Sequence, residues 1–265
     1  MANIVDDINI RTMRTASAVR AYSDSDTLNP AERASLERVA LHAREKPILD
    51  LGVGGGRTVT ALREVSNDYL GIDNSHEMLA ACQKRYPGVK LKHADARNLS
   101  EVGNGSIFLA MFSCNGIGMV NHEDRLAIFR EVHRVLQPGG VFLFSTHNQD
   151  CPDHTAGFRF PKFEISRHPV RLLMRLARFA RDTIIRVYNR WRFRRHDLRT
   201  SAYSMINDVC HNYGTMLYYI TLGNQRRQLV EIGFEDGAEA FDRHGDPIEH
   251  DSTHSSIAFI ARKPV

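Results

Sequence analysis

The chain has 265 residues, 42% of them hydrophobic and 25% charged, which is the composition of a globular protein that buries a core in one domain with an insertion, or in one large and one small domain. No run of about 18 apolar residues occurs, which excludes a membrane-spanning helix. The first nine residues carry Asp6 and Asp7 with neither a basic start nor an apolar core, so they do not read as a secretion signal, and a cytoplasmic protein is expected. Cys82, Cys114, Cys151 and Cys210 are far apart and form no CxxC pair, and the 13 histidines show no metal-ligand spacing, so reduced thiols and no metal are expected. The net charge of +4 is unevenly spread: residues 151–200 hold 13 Lys or Arg against four Asp or Glu, a net of +9, which leaves −5 for the remainder.

In chain order, residues 1–46 read as a polar helical segment. Its last helix opens at Asn29-Pro30, and Lys46-Pro47 ends it. Ile48–Leu51 is a short apolar run closed by glycines, which predicts a buried strand. A helix is expected over 57–65, a second strand over 69–73, a helix over 75–85 capped by Ser75, a third strand over 89–94 and a fourth over 107–114. A helix over 125–136 follows, then a stop and turn at Pro138-Gly139-Gly140 and a fifth strand over 141–146. After an insertion, a helix over 223–232 ends at Gly233, and two last strands are expected over 234–241 and 256–262. Strands alternating with helices predict a mostly parallel sheet covered on both faces, with right-handed crossovers.

The loop Gly52-Val53-Gly54-Gly55-Gly56 joins the first strand to the next helix. Clustered glycines allow positive φ and let a ligand approach bare backbone. The loop lies at the carboxyl edge of the sheet, where open α/β folds bind ligands. A dinucleotide binder would place a third glycine where Arg57 stands, and Asp50 before the loop suits a cationic amino group better than a pyrophosphate.

On these residues the sequence resembles the class I S-adenosylmethionine-dependent methyltransferases. Ile48–Gly56 resembles their D-x-G-x-G-x-G stretch, Asp73 falls where they place the acid for the ribose hydroxyls, Asp95-Ala96 where they read the adenine, and Leu136-Gln137-Pro138-Gly139-Gly140 matches their L-x-P-G-G. The resemblance implies a Rossmann-like α/β fold with a seven-stranded sheet and a helical and stranded lid inserted after the fifth strand. It implies S-adenosylmethionine as cofactor and no metal. It divides the chain into an N-terminal helical lid (1–46), a cofactor-binding domain (47–149 and 220–265) and an inserted substrate subdomain (150–219). The cofactor residues it implies are Asp50, Gly52, Gly54, Gly56, Asp73, Asn74, Met78, Asp95, Ala96, Arg97 and Ser113, with Tyr22 as a lid aromatic. The implied activity is methyl transfer to an oxygen or nitrogen of a small molecule, such as a metabolite, sugar or lipid-linked acceptor. Two other readings are an NAD-dependent oxidoreductase and a non-catalytic binding module on a methyltransferase-like fold.

His147 ends the fifth strand at the catalytic edge, and a hydroxyl acceptor would benefit from a base of near-neutral pKa, so His147 is the candidate general base. Asn115, Asn148, His211, Tyr213 and Tyr218 are candidates for the substrate pocket. Within the insertion, residues 169–195 form an amphipathic basic helix, with leucines, isoleucines and Trp191 on one face and arginines on another. A lid helix packed on the core, a contact with an anionic membrane surface, a basic surface for an acidic substrate or nucleic acid, and a dimer contact are the readings open to it. Nucleic acid ranks low, because the aromatics are not spread as stacking platforms. The oligomeric state is left open.

Overall fold

The computed structural model describes residues 2–23, 25–155 and 157–265. Helices α1 (Ala2–Met13), α2 (Ala16–Ser23) and α3 (Pro30–Ala43) precede the first strand, β1 (Ile48–Leu51). A reciprocal capping box starts α3: the Asn29 side chain accepts from the Glu32 N–H, and the Glu32 carboxylate accepts from the Asn29 N–H. Next come α4 (Val59–Val65), β2 (Tyr69–Asp73), α5 (His76–Arg85), β3 (Leu91–His93), β4 (Ile107–Phe112), α6 (His122–Val135) and β5 (Leu136–Asn148). The third strand is shorter than expected, and α4 starts two residues later than expected, with Thr58 at its N-cap.

Pro138-Gly139-Gly140 does not stop the chain. It is a bulge inside β5: Ile107 pairs with Leu136 and Leu109 with Val141, with the register shifted between them. Gly139 takes up the distortion at φ +71° and donates its N–H to the Lys263 carbonyl at 3.0 Å.

The inserted segment holds α7 (Pro169–Phe193), β6 (Leu198–Arg199), β7 (Ser204–Asp208) and β8 (Thr215–Ile220). Helix α8 (Leu222–Ile232) is capped by Thr221 and closed by Gly233 at φ +114°, and β9 (Glu239–Phe241) and β10 (Ser256–Arg262) complete the chain. The strand expected over 234–241 is reduced to its last three residues.

Seven strands form the expected sheet, in the order β3-β2-β1-β4-β5-β10-β9. The first five are parallel, and β10 runs antiparallel to β5. Among the described residues the sheet nevertheless has ten strands. β4 ends its pairing at Phe112–Phe144, and β8 takes the strip of β5 beyond it, pairing Tyr219 with His147 and Ile220 with Asn148. β7 and β6 continue from β8.

Side chains alternate along the parallel strands, and each face has its own core. Phe142 and Phe144 pack with Ile128, Phe129 and Val132 of α6 and Leu229 of α8. Val141 and Leu143 pack with Val39 of α3, Leu62 of α4 and Cys82 of α5. This two-faced cover leaves the carboxyl ends of β1–β4 open.

Candidate active site

A cavity with its mouth open to solvent lies over those strand ends. Its floor is the glycine loop. Gly52 stands at φ +62°, and a Cβ there would sit 2.6 Å from the Phe112 ring, so only glycine lets the strand ends close up. Gly54, at φ +55°, donates its N–H to Asp73 Oδ2 at 2.9 Å. The other oxygen, Asp73 Oδ1, accepts from the Ser75 N–H at 2.8 Å. Asp73 therefore clamps the loop of the first strand to that of the second, and burial pushes its carboxyl above the ordinary value.

Further along, Asp95, Ala96 and Arg97 form the wall after β3. Burial pushes the Asp95 carboxyl up, but hydrogen bonds and charge from Arg97 outweigh it and hold the group below its ordinary value. Arg97 also reaches Asp124 at 2.9 Å and Asp6 of α1, so one guanidinium gathers three carboxylates. The second arginine of the wall, Arg57, forms a two-pronged pair with Glu32, both contacts at 2.7 Å. Both cations are thus matched within the protein, and the Asp6, Asp73 and Asp95 carboxylates set the polarity of the wall.

Of the expected cofactor residues, Gly52, Gly54, Asp73, Asn74, Met78, Asp95, Ala96, Arg97, Ser113 and Tyr22 all line this cavity. Asp50 does not. It is fully buried below the loop, where its Oδ2 accepts from Thr58 and Tyr69 hydroxyls at 2.5 and 2.7 Å and its Oδ1 has no partner among the described residues. Burial raises its carboxyl to about 6. Gly56 is also outside the wall: a Cβ there would meet Tyr86 and Cys82, so this glycine lets the loop pack on α5.

The expected substrate end is dispersed, because β8 occupies the edge where those residues were expected to be free. His147 pairs with Tyr219 in the sheet, packs its ring on that tyrosine and lies under the turn at Gly118. Burial lowers its pKa to about 4. It is not in the cavity wall. Asn115, in left-handed backbone at φ +54°, directs its side chain to His147 at 3.5 Å while its neighbours Cys114 and Gly116 line the cavity. The Asn148 amide reaches the carbonyls of Ser252 and His254, which fixes the loop before β10. Tyr218 is buried, stacked on Tyr203 and 2.8 Å from His122 Nδ1. Tyr213 stacks on Phe158 and accepts from the Arg159 N–H. His211 comes nearest, 3.4 Å from the Tyr22 hydroxyl, one residue behind the wall.

Several residues of the wall escaped the sequence reading. Asp6, Asn9, Ile10 and Met13 come from α1, and Met119 and Val120 from the turn after β4. α1 is tied down by Asn9, whose amide donates to the Met216 carbonyl and accepts from the Met216 N–H. That pairing spans most of the chain and leaves no local signal. Glu32 is different. It holds Arg57 and also accepts from the Cys114 N–H at 2.8 Å, and the Asn29-Pro-Ala-Glu32 capping pattern marks it in the sequence.

The strand order and the glycine crevice define a Rossmann-like nucleoside-binding fold of the methyltransferase kind. Residues 48–140 match the methyltransferase domain family. The chain is 31% identical over 134 residues to trans-aconitate 2-methyltransferase of Acidovorax ebreus (49% of each chain). It is also 31% identical over 129 residues to demethylmenaquinone methyltransferase of Lysinibacillus sphaericus (45% of this chain and 53% of the relative). The chain spans about half the length of these relatives. The fold is similar to that of 1,6-didemethyltoxoflavin-N1-methyltransferase of Burkholderia thailandensis, solved with 1,6-didemethyltoxoflavin and S-adenosylhomocysteine (TM-score 0.60, 13% identity, 99% of this chain and 89% of that one). Residues 48–140 are thus similar to a methyltransferase domain, and the fold as a whole is similar to that of S-adenosylmethionine-dependent methyltransferases.

Proposed function

We propose that the chain is an S-adenosylmethionine-dependent methyltransferase acting on an oxygen or nitrogen nucleophile of a small molecule. The observation that carries this reading is the junction of bare backbone at Gly52 and Gly54 with the Asp73 carboxylate in one crevice. The residues present fit the cofactor. A carboxylate retains lone pairs beyond its two backbone contacts and suits a ribose with neighbouring hydroxyls. The glycine loop allows close approach of an amino-acid chain to bare backbone. Asp95 to Arg97 supply the wall for a base.

When bound, S-adenosylmethionine supplies an electrophilic methyl on a sulfonium. The protein's share is to position the acceptor and exclude water. Met13 and Tyr22 from the N-terminal helices and Met119 and Val120 from the turn after β4 provide the apolar part of that enclosure. The wall contains Tyr22, Ser113 and Cys114 but no imidazole among the described residues, which favours an acceptor such as an amine, whose own lone pair attacks without a protein base.

A dinucleotide fits less well. Its pyrophosphate would face the Asp6, Asp73 and Asp95 carboxylates, while both wall arginines are already matched. A non-catalytic binding module predicts affinity for the nucleoside with no methyl transferred to any amine or hydroxyl acceptor. In titration calorimetry, S-adenosylmethionine and S-adenosylhomocysteine are expected to bind and NAD to give no heat. Binding of NAD in preference to both would overturn the reading.

A further inference from the structure

Helix α7 is amphipathic with its faces inverted. Its 25 residues include seven arginines and one aspartate, and none is buried. The expectation of a lid helix packed by its apolar face on the core therefore fails. The contacts α7 makes with the rest of the chain are largely polar. Arg186 donates to Asn212 Oδ1 and to the Arg159 carbonyl, both at 2.8 Å. Asn189 donates to the Asn212 carbonyl, and Arg190 to the Asn207 carbonyl and Asp197. The apolar stripe faces outward: Leu173 is 69% exposed, Ile184 69% and Trp191 74%, and these three lie whole turns apart along one line of the helix. Exposed Val187 and Tyr188 widen the stripe, and exposed Phe160 and Ile165 precede the helix.

We propose that α7 docks the chain on an anionic membrane surface. An isolated apolar stripe of this length needs a covering. The rows beside it carry exposed Arg171, Arg178, Arg181 and Arg192. A basic polar flank, an apolar face with Trp and Tyr, and modest overall hydropathy are the features of a helix that lies in the plane of the headgroups. No helix among the described residues is long and apolar enough to cross a membrane, so α7 lies on the bilayer rather than through it. A second copy fits poorly, because two segments of net +9 would meet face to face. Nucleic acid fits poorly as well, because the aromatics share the aliphatic stripe instead of lying between the arginines.

Trp191 is the single tryptophan of the chain, so its emission reports the stripe directly. With the full chain, vesicles of mixed phosphatidylcholine and phosphatidylglycerol are expected to shift that emission to the blue and to carry the protein in flotation. Pure phosphatidylcholine vesicles are expected to do neither. The Leu173→Glu, Ile184→Glu double variant is expected to float at least about tenfold less. The Arg171→Glu, Arg178→Glu, Arg181→Glu variant is expected to bind on the order of 100-fold more weakly, at about 1 kcal/mol per basic residue near the surface. All five positions are exposed, so both variants should melt as the parent does, and S-adenosylmethionine titration of the same samples tests the cofactor site separately. Absence of a shift with anionic vesicles overturns the proposal. Equal binding to neutral vesicles overturns it too, as does a shift that follows protein concentration alone, the mark of a second copy, or one produced by an oligonucleotide in place of vesicles.

Discussion

An Asp73→Ala variant is expected to bind S-adenosylmethionine about 10–100-fold more weakly, the range for a lost hydrogen bond to a charged group. The carboxylate has two tasks. It is the acceptor at the end of β2 that faces the cavity, and it ties the Gly54 and Ser75 N–H groups into one frame. Asp73→Asn keeps the shape and one oxygen, so it should bind between the parent and the alanine variant. Calorimetry on the three proteins checks the order. An alanine variant that binds as tightly as the parent would remove Asp73 from the ribose role.

The largest effect on stability is expected from Arg125. Its guanidinium is fully buried, and burial lowers its pKa to about 10. No carboxylate pairs with it among the described residues. Neutral groups surround it: Nη1 donates to the Ile117 carbonyl at 2.9 Å, Nη2 to Gln225 Oε1 at 2.6 Å and to the Thr146 hydroxyl at 3.2 Å, and the Tyr218 ring lies 4.5 Å away. Arg125→Ala removes a large side chain from the core and strands the Ile117 carbonyl and the Gln225 amide. The two losses together should cost about 3–5 kcal/mol, a fall in Tm of roughly 10 °C. Because Ile117 sits in the turn Gly116–Met119, two of whose residues line the cavity, cofactor affinity should fall as well. Arg125→Met keeps most of the volume and removes the cost of a desolvated charge, so it should recover much of the loss. A Tm within about 2 °C of the parent for Arg125→Ala would contradict this account.

What the sequence displays and what it hides follow from the range of the interactions involved. The glycine loop, Asp73 and Asp95 stand at strand exits, and a strand exit is marked by its own neighbours: an apolar run, then turn residues. Gly139 was recognisable as a special backbone position, yet whether it makes a turn or a bulge depends on the Lys263 carbonyl it meets, far away in the chain. His147, Asn148 and Tyr218 were misplaced for one common reason. The pairing of β8 with the tip of β5 is a long-range event that no local pattern encodes, and it converts a free catalytic edge into sheet interior. The amphipathic pattern of α7 was legible, but the direction of its faces was not. Periodicity tells that a helix has two sides, and only the partners of Arg186, Asn189 and Arg190 tell which side turns inward.

The central claim is that bare backbone at the exit of β1 and a carboxylate at the exit of β2 together cradle a sulfonium nucleoside. A crystal of this chain soaked with S-adenosylhomocysteine tests it most directly. The account predicts density in the cavity over Gly52 and Gly54, with the ribose hydroxyls on Asp73 and the base beside Asp95 to Arg97. An empty crevice at saturating nucleoside, or the nucleoside bound elsewhere on the protein, would contradict it.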